Sequence, residues 1–285
     1  MKTYLECLPC LTGNAASIAC RCSNDPEIQL CIVKKSMQML AGSNLSEPPP
    51  FYAEKIADIA LSYTQTGFDP YRKEKEKSTA LAKRLLDELD SIPEYHPDDF
   101  ESRLRLAVAG NILDFGIFAD LNLDEAMKTI RQVFTKPIDR SAVRKLQQRI
   151  EGARKILYIL DNCGEAVFDR VFMELFLNKV TVGVRGRNSL NDVTREELGI
   201  SGYDPSIPVA DNGTGIPGVM ERLAGNEFQT AMQTADLIIA KGQGNFETMD
   251  EISYPASFLF LAKCPVVIQK IKAEMKSIQI RNINF

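Results

Sequence analysis

The sequence predicts an α/β protein: a helical N-terminal part followed by a domain built on a mostly parallel sheet. Two observations carry this. Before about residue 150 the apolar residues recur mostly at helical spacing. From Ala153 onward the pattern changes to short, β-branched apolar runs that alternate with helix-like segments, the signature of a doubly wound sheet. The expected division is therefore 1–150, which can pack as one unit with the rest, and 151–285.

The helical part is punctuated at "GSNLSEPPP", "TGFDP" and "SIPEYHPDD". "DPYRKEKEKSTALAKRLLDEL" places a Pro at a plausible first helical position and reads as an amphipathic helix whose Lys/Glu run faces solvent. "AVAGNILDFGIF" is apolar except for Asn111 and Asp114, which share one helix face. Such a pair serves either a buried structural hydrogen bond or a crevice lined by this helix. In the second part the candidate strands are "KILYIL", "KVTVGV", "SIPVA", "DLIIA", "SFLFLA" and "PVVI", with the helix "EAVFDRVFMELFL" between the first two.

Composition narrows the function. The chain of 285 residues is 45% hydrophobic, enough to fill a sizeable core, and its formal net charge of -4 comes without a long basic run. That excludes the electrostatic footprint of a nucleic-acid partner. The N-terminus shows no continuous apolar segment, and Lys263 interrupts "SFLFLAKCPVVI" well short of a bilayer span, so a cytoplasmic protein without a membrane partner is expected. The single histidine, His96, falls in a turn-like stretch, which leaves little room for a Ser-His-Asp triad or a His-rich zinc centre.

The polar clusters follow a rule. "DNCGE", "RGRNSLNDVT", "DNGTGIPG" and "KGQGNFE" each come after a predicted strand. In a parallel sheet these carboxyl ends share one edge, so Asp161, Asn162, Asn191, Asp192, Asp211 and Lys241 are expected to converge. Asp161, Asn162 and Asp192 offer hard oxygen ligands suited to Mg²⁺ or Mn²⁺, and a cation between the acids would relieve their repulsion. Lys241, with Gly242 and Gly244 beside it, reads as a phosphate partner. Glu165, at the start of the next helix, joins Lys241, Gly242, Asn111 and Asp114 in the expected phosphate- and substrate-binding set.

Two other patterns compete. "GTGIPG", Gly213 to Gly218, matches the glycine spacing of a nucleotide or S-adenosylmethionine site, although Pro217 sits inside the turn. Cys7, Cys10, Cys20 and Cys22 form a Cys-x-x-Cys and a Cys-x-Cys that could hold a second metal or act in redox chemistry. Buried structural thiols are the plainer account.

"LDNCGE", "RGRNSLNDVT", "ADLIIAKGQGNFETM" and "AGNILDFG" together resemble the damage-control phosphatase family, formerly called domain of unknown function 89. "CLPC" and "GFDPY" resemble its small microbial subfamily. The resemblance implies a helical part on a three-layer α/β/α domain, and hydrolysis of phosphomonoesters of small metabolites such as sugar phosphates. It implies metal ligands at Asp161, Asn162 and Asp192, a functional lysine at Lys241, and a further element at Gly110, Asn111 and Asp114. The expected cofactor is a divalent ion, Mg²⁺, Mn²⁺, Ni²⁺ or Co²⁺. Asp161 and Lys241 are the expected catalytic residues, with metal-bound water favoured over Asp161 as nucleophile because Cys163 stands where a second acid would be. A non-catalytic metal- or phosphometabolite-binding protein is the alternative from another class.

Overall fold

The computed structural model describes residues 1–110 and 123–285. Asn111 and Asp114 lie outside the described residues. In the first half the helices are α1 (Cys7–Cys22), α2 (Pro26–Ala41), α3 (Pro49–Leu61), α4 (Arg72–Asp87), α5 (Phe100–Gly110), α6 (Leu123–Thr135) and α7 (Arg140–Gly152). The second half alternates: β1 (Ile156–Ile159), α8 (Cys163–Met173), β2 (Val180–Val184), α9 (Arg195–Ile200), β3 (Val209–Asp211), α10 (Asn226–Thr234), β4 (Leu237–Lys241), α11 (Gly242–Met249), β5 (Ala256–Leu261), α12 (Pro265–Ile271) and β6 (Ile278–Ile283).

The six strands lie in the order β3-β2-β1-β4-β5-β6, and only β6 runs antiparallel to its neighbour. The chain winds outward from β1 to β3, then returns to place β4 on the other side of β1. Adjacent connections thus diverge between β1 and β4, which opens a crevice at their carboxyl ends. Ile159 pairs with Ala240 there, so Asp161 and Lys241 leave the sheet side by side.

Side-chain alternation on β1 divides the core. Ile156 and Tyr158 join a cluster with Leu85, Leu106, Ile130, Leu146 and Phe168 of the helical layer. Leu157 and Ile159 face Phe228, Phe246 and Val267 of α10 to α12. The result is helices, sheet, helices. Phe168 and Phe172 of α8 are fully buried, each stabilising the fold by about 2–3 kcal/mol. A smaller cluster, centred on Leu11, Ile18, Ile32, Tyr52 and Ile56, ties α1 to α3 together.

Three expectations are corrected. "PVVI" forms the start of α12 instead of a strand: Pro265 stands at its first helical position behind Cys264, and only Val267 of this helix is buried. The sixth strand is "IQIRNI", whose alternating pattern pairs in antiparallel register along the edge of β5. The Lys/Glu run of α4 is not wholly solvated. Lys75 is buried, and its ammonium meets Asp69 at 3.0 Å, Glu197 at 2.8 Å and the Asn188 side chain at 3.0 Å.

Lys75 therefore links the helical half to the loop after β2. Burial alone would lower its pKa; the facing Glu197 and Asp69 carboxylates reverse that and raise it. Removing one partner from a buried ion cluster leaves the others desolvated and unpaired. Lys75→Ala is expected to cost about 3–5 kcal/mol, measured by denaturant unfolding. A loss below about 1 kcal/mol would refute this clamp.

Candidate active site

The site grows out of the β1 and β2 termini. β1 ends, and two residues later the chain turns into α8 with Asn162 as its N-cap in extended conformation. A cap of this type ordinarily accepts hydrogen bonds from its own helix. Asn162 does not. Its Nδ2 donates to Asp161 Oδ2 at 2.9 Å and to Glu165 Oε2 at 3.1 Å, and among the described residues its Oδ1 accepts nothing. Its side-chain oxygen thus caps no N–H of α8.

Asp192 arrives from the loop after β2, through an antiparallel bridge with Asn162. Val193 donates its backbone N–H to the Asp161 carbonyl at 2.9 Å, and Cys163 donates its own to the Asn191 carbonyl at 2.9 Å. These bonds fix the two acids relative to each other. Cys163 itself is fully buried, with its thiol 3.5 Å from the Asp192 carbonyl, so it supports this loop from beneath.

Between the acids lies Arg185, a residue the sequence reading passed over. Its guanidinium donates to Asp192 Oδ2 at 2.6 Å, to Asn245 Oδ1 at 3.2 Å and to Asp161 Oδ1 at 3.4 Å, and it is 1% exposed. The one available signal was an Arg directly after an apolar strand, inside the same polar cluster as Asp192.

Lys241 is positioned differently from expectation. Its ammonium donates to Glu165 Oε1 at 2.5 Å, Asp169 Oδ1 at 2.7 Å and the Ala107 carbonyl at 2.9 Å, and the residue is fully buried. An ammonium has three donors, and all three are spent. In this structure Lys241 thus holds Glu165 and Asp169 and joins α5 to the sheet. Glu165 is likewise fully buried and turned toward Asn162 and Lys241, not toward an open surface. Gly242 takes φ of +78°, and a Cβ there would overlap the Asp161 carboxylate. Gly110 packs on Glu165, whose Cα would lie 2.9 Å from an added Cβ. Close backbone approach is the reason for both glycines.

Asp161, Asn162, Asn191 and Asp192 all line a cleft of about 510 Å³. The remaining wall brings in α1 and α3 with the start of α12, including Cys7, Cys10, Pro50, Gln243, Glu247, Lys263 and Cys264. Asp211 does not join this lining; it pairs with Arg195. Asn191 contributes a buried Nδ2 that has no hydrogen-bond partner among the described residues, a donor suited to an incoming oxygen.

Burial perturbs both acids. Burial, followed by the Asp192 and Glu165 charges, pushes Asp161 well above the usual carboxylate range, and Arg185 and Lys241 do not compensate. Burial also raises Asp192 against the pull of Arg185. Among the described residues no three His, Cys, Asp or Glu side chains gather as a metal cluster. The oxygen set here is of another kind, two carboxylates and the unclaimed amide oxygen of Asn162. That donor set fits a hard divalent ion such as Mg²⁺ or Mn²⁺.

The other sequence patterns fare differently. In the Gly213–Gly218 loop the Gly215 N–H is already taken by Glu54 Oε1 at 2.8 Å, and the segment leads into a single 3₁₀ turn at Glu221–Leu223, not the long helix of a nucleotide-binding turn. Gly218 and Gly244 instead let the loop and α11 pack closely. Of the cysteines, Cys7 and Cys10 open α1, whereas Cys20 and Cys22 close it, roughly 15 Å away at 1.5 Å per residue. The four do not form one site; Cys22 packs against the α1 to α3 cluster.

Glu247 adds a titratable wall to the cleft. Burial pushes its carboxyl up to about 7, against hydrogen bonding from Gln243. With the folded value raised above the ordinary 4.5, the neutral carboxyl favours folding; this contribution is complete below about pH 4.5 and lost as pH rises through 7. Relative to Glu247→Gln, the wild type is expected to lose about 3 kcal/mol of unfolding free energy between pH 4.5 and 8. Chemical denaturation across that range checks it, and a pH-independent difference would refute it.

The family model described as the damage-control phosphatase ARMT1-like domain matches residues 3–278. A damage-control phosphatase of Pyrococcus horikoshii is 32% identical over 278 residues, covering 95% of both chains. One from Archaeoglobus fulgidus is 27% identical over 277 residues, covering 95% of this chain and 96% of that one. The crystal structure of a DUF89 family protein from Pyrococcus horikoshii superposes with a TM-score of 0.88 at 30% identity, covering 99% of each chain. The chain therefore belongs to the damage-control phosphatase ARMT1-like family.

Proposed function

We propose that this protein is a metal-dependent phosphatase that hydrolyses phosphomonoesters of small metabolites, sugar phosphates among them. Membership in a phosphatase family supports the phosphatase role. The observation that carries the rest is the meeting of Asp161, Asn162 and Asp192 in the lining of one cleft, with the Asn162 carbonyl oxygen unclaimed.

Asp161, Asn162 and Asp192 would hold the divalent ion. When bound there, it supplies Lewis-acid polarisation and charge neutralisation for a phosphoryl group. The chain's own residues prepare the place. Arg185 holds the two acids in a fixed relation without occupying the Asn162 oxygen. Glu165, itself fixed by Lys241, accepts from the Asn162 Nδ2 and so fixes the amide. Asn191 offers a buried donor to a phosphoryl oxygen. Such preorganised groups need no rearrangement as charge develops, which is where most phosphoryl-transfer catalysis originates. Water, not Asp161, is the proposed nucleophile.

A panel of metabolite phosphates assayed with Mg²⁺, Mn²⁺, Co²⁺ and Ni²⁺ tests this reading. Metal-dependent turnover is expected, and tight binding without turnover would favour a binding protein instead. Asp161→Asn and Asp192→Asn are each expected to lower kcat by at least about a hundredfold. Lys241→Met, which removes a strut and not a phosphate contact, should weaken metal affinity and stability together. Full activity in both Asp variants would sink the assignment.

A further inference from the structure

The cleft lined by Asp161 and Asp192 is also lined by thiols. Cys7, Cys10 and Cys264 all line it, and all seven cysteines of the chain are free. Cys7 and Cys10 stand three residues apart in the first turn of α1, where helical geometry sets their Cα atoms about 5 Å apart. That lies inside the 4.4–6.8 Å window for a disulfide. Their exposures differ: Cys10 is open to solvent and Cys7 is buried, 6% exposed. An accessible thiol with a protected partner behind it is the arrangement of a thiol that attacks and one that resolves. Cys264, half-buried at the start of α12, is close enough for its charge to be felt at Cys7. Burial pushes the Cys7 thiol up, so Cys7 rests as a thiol near neutral pH.

We infer that Cys7 and Cys10 form a thiol–disulfide redox couple set into the wall of the catalytic cleft, with low-molecular-weight disulfides as its oxidant class. The thiolate of Cys10 attacks one sulfur of the small disulfide, RSSR, forming a mixed disulfide and releasing RS⁻, which takes up the proton that Cys10 lost. Cys7, deprotonated in turn, attacks the Cys10 sulfur and expels the second RS⁻, which is protonated likewise. Two protein thiols are oxidised by two electrons, one RSSR is reduced, and two RSH leave. Describing the cleft as catalytic rests on the proposed phosphatase function; the thiol chemistry does not.

The test uses the full-length protein, reduced, desalted and incubated with oxidised glutathione. Two thiols per chain are expected to disappear, with a Cys7–Cys10 linked peptide in a non-reducing digest. Cys10→Ser should abolish the linkage, and Cys20→Ser at the far end of the same helix should leave it intact. A glutathione adduct at Cys10 that never resolves would overturn the proposal, as would a Cys10–Cys264 link, or zinc held by the reduced protein and lost in Cys10→Ser. Turnover of p-nitrophenyl phosphate by the oxidised form is expected to fall at least about threefold and to return with dithiothreitol. Equal turnover in both forms would overturn the claim that the cleft responds to the couple. Because the linkage is read by peptide mapping, missing phosphatase activity would count against the proposed function alone.

Discussion

The buried guanidinium of Arg185 is the interaction on which the rest of the site depends. It reaches three segments: Asp161 after β1, Asp192 in the loop after β2, and Asn245 in α11. Without a cation there, two desolvated carboxylates would face each other across the sheet edge. With it, their spacing is fixed, although burial, followed by the Asp192 and Glu165 charges, still holds Asp161 well above the usual carboxylate range. A planar guanidinium suits this role better than an ammonium, because its fork can address several oxygens at once.

A second buried cation supports the first. Lys241 ties Glu165 and Asp169 to the Ala107 carbonyl, so the α/β half is braced against α5 of the helical half. Lys75 does the same for the loop that carries Asp192, through Asn188 and Glu197. The helical half is therefore more than a cover. It supplies two of the points that hold the strand-end loops, and α1 and α3 close one side of the cleft. Its separation from the α/β part in the chain is not a separation in mechanics.

Much of this architecture was legible in the sequence. Five of the six strands followed from short β-branched runs bounded by polar clusters, and their parallel arrangement followed from the helices between them. The convergence of Asp161, Asn162 and Asp192 was legible because each lies in a polar cluster that follows a predicted strand, and in a parallel sheet such clusters share an edge. "PVVI" misled because four apolar residues do not distinguish a strand from the start of a short helix. "IQIRNI" was not among the expected strands; its alternation spans only six residues, and Gln279, Arg281 and Asn282 break the continuous apolar run that marked the others.

What the sequence determined by itself is which groups can carry the chemistry: hard oxygen donors at strand ends, glycines where backbones meet, and a Cys-x-x-Cys opening a helix. These are local facts, set by residue type and spacing. Only the tertiary structure decided how each charge is used. Lys241 and Lys75 read alike as basic residues available to solvent or phosphate, but both are buried and spent on carboxylates from distant segments. Arg185 carried no motif of its own until Asp161, Asp192 and Asn245 converged on it. The physical reason is that the role of a buried charge depends on its desolvation and on partners far along the chain, and neither is fixed until the fold assembles.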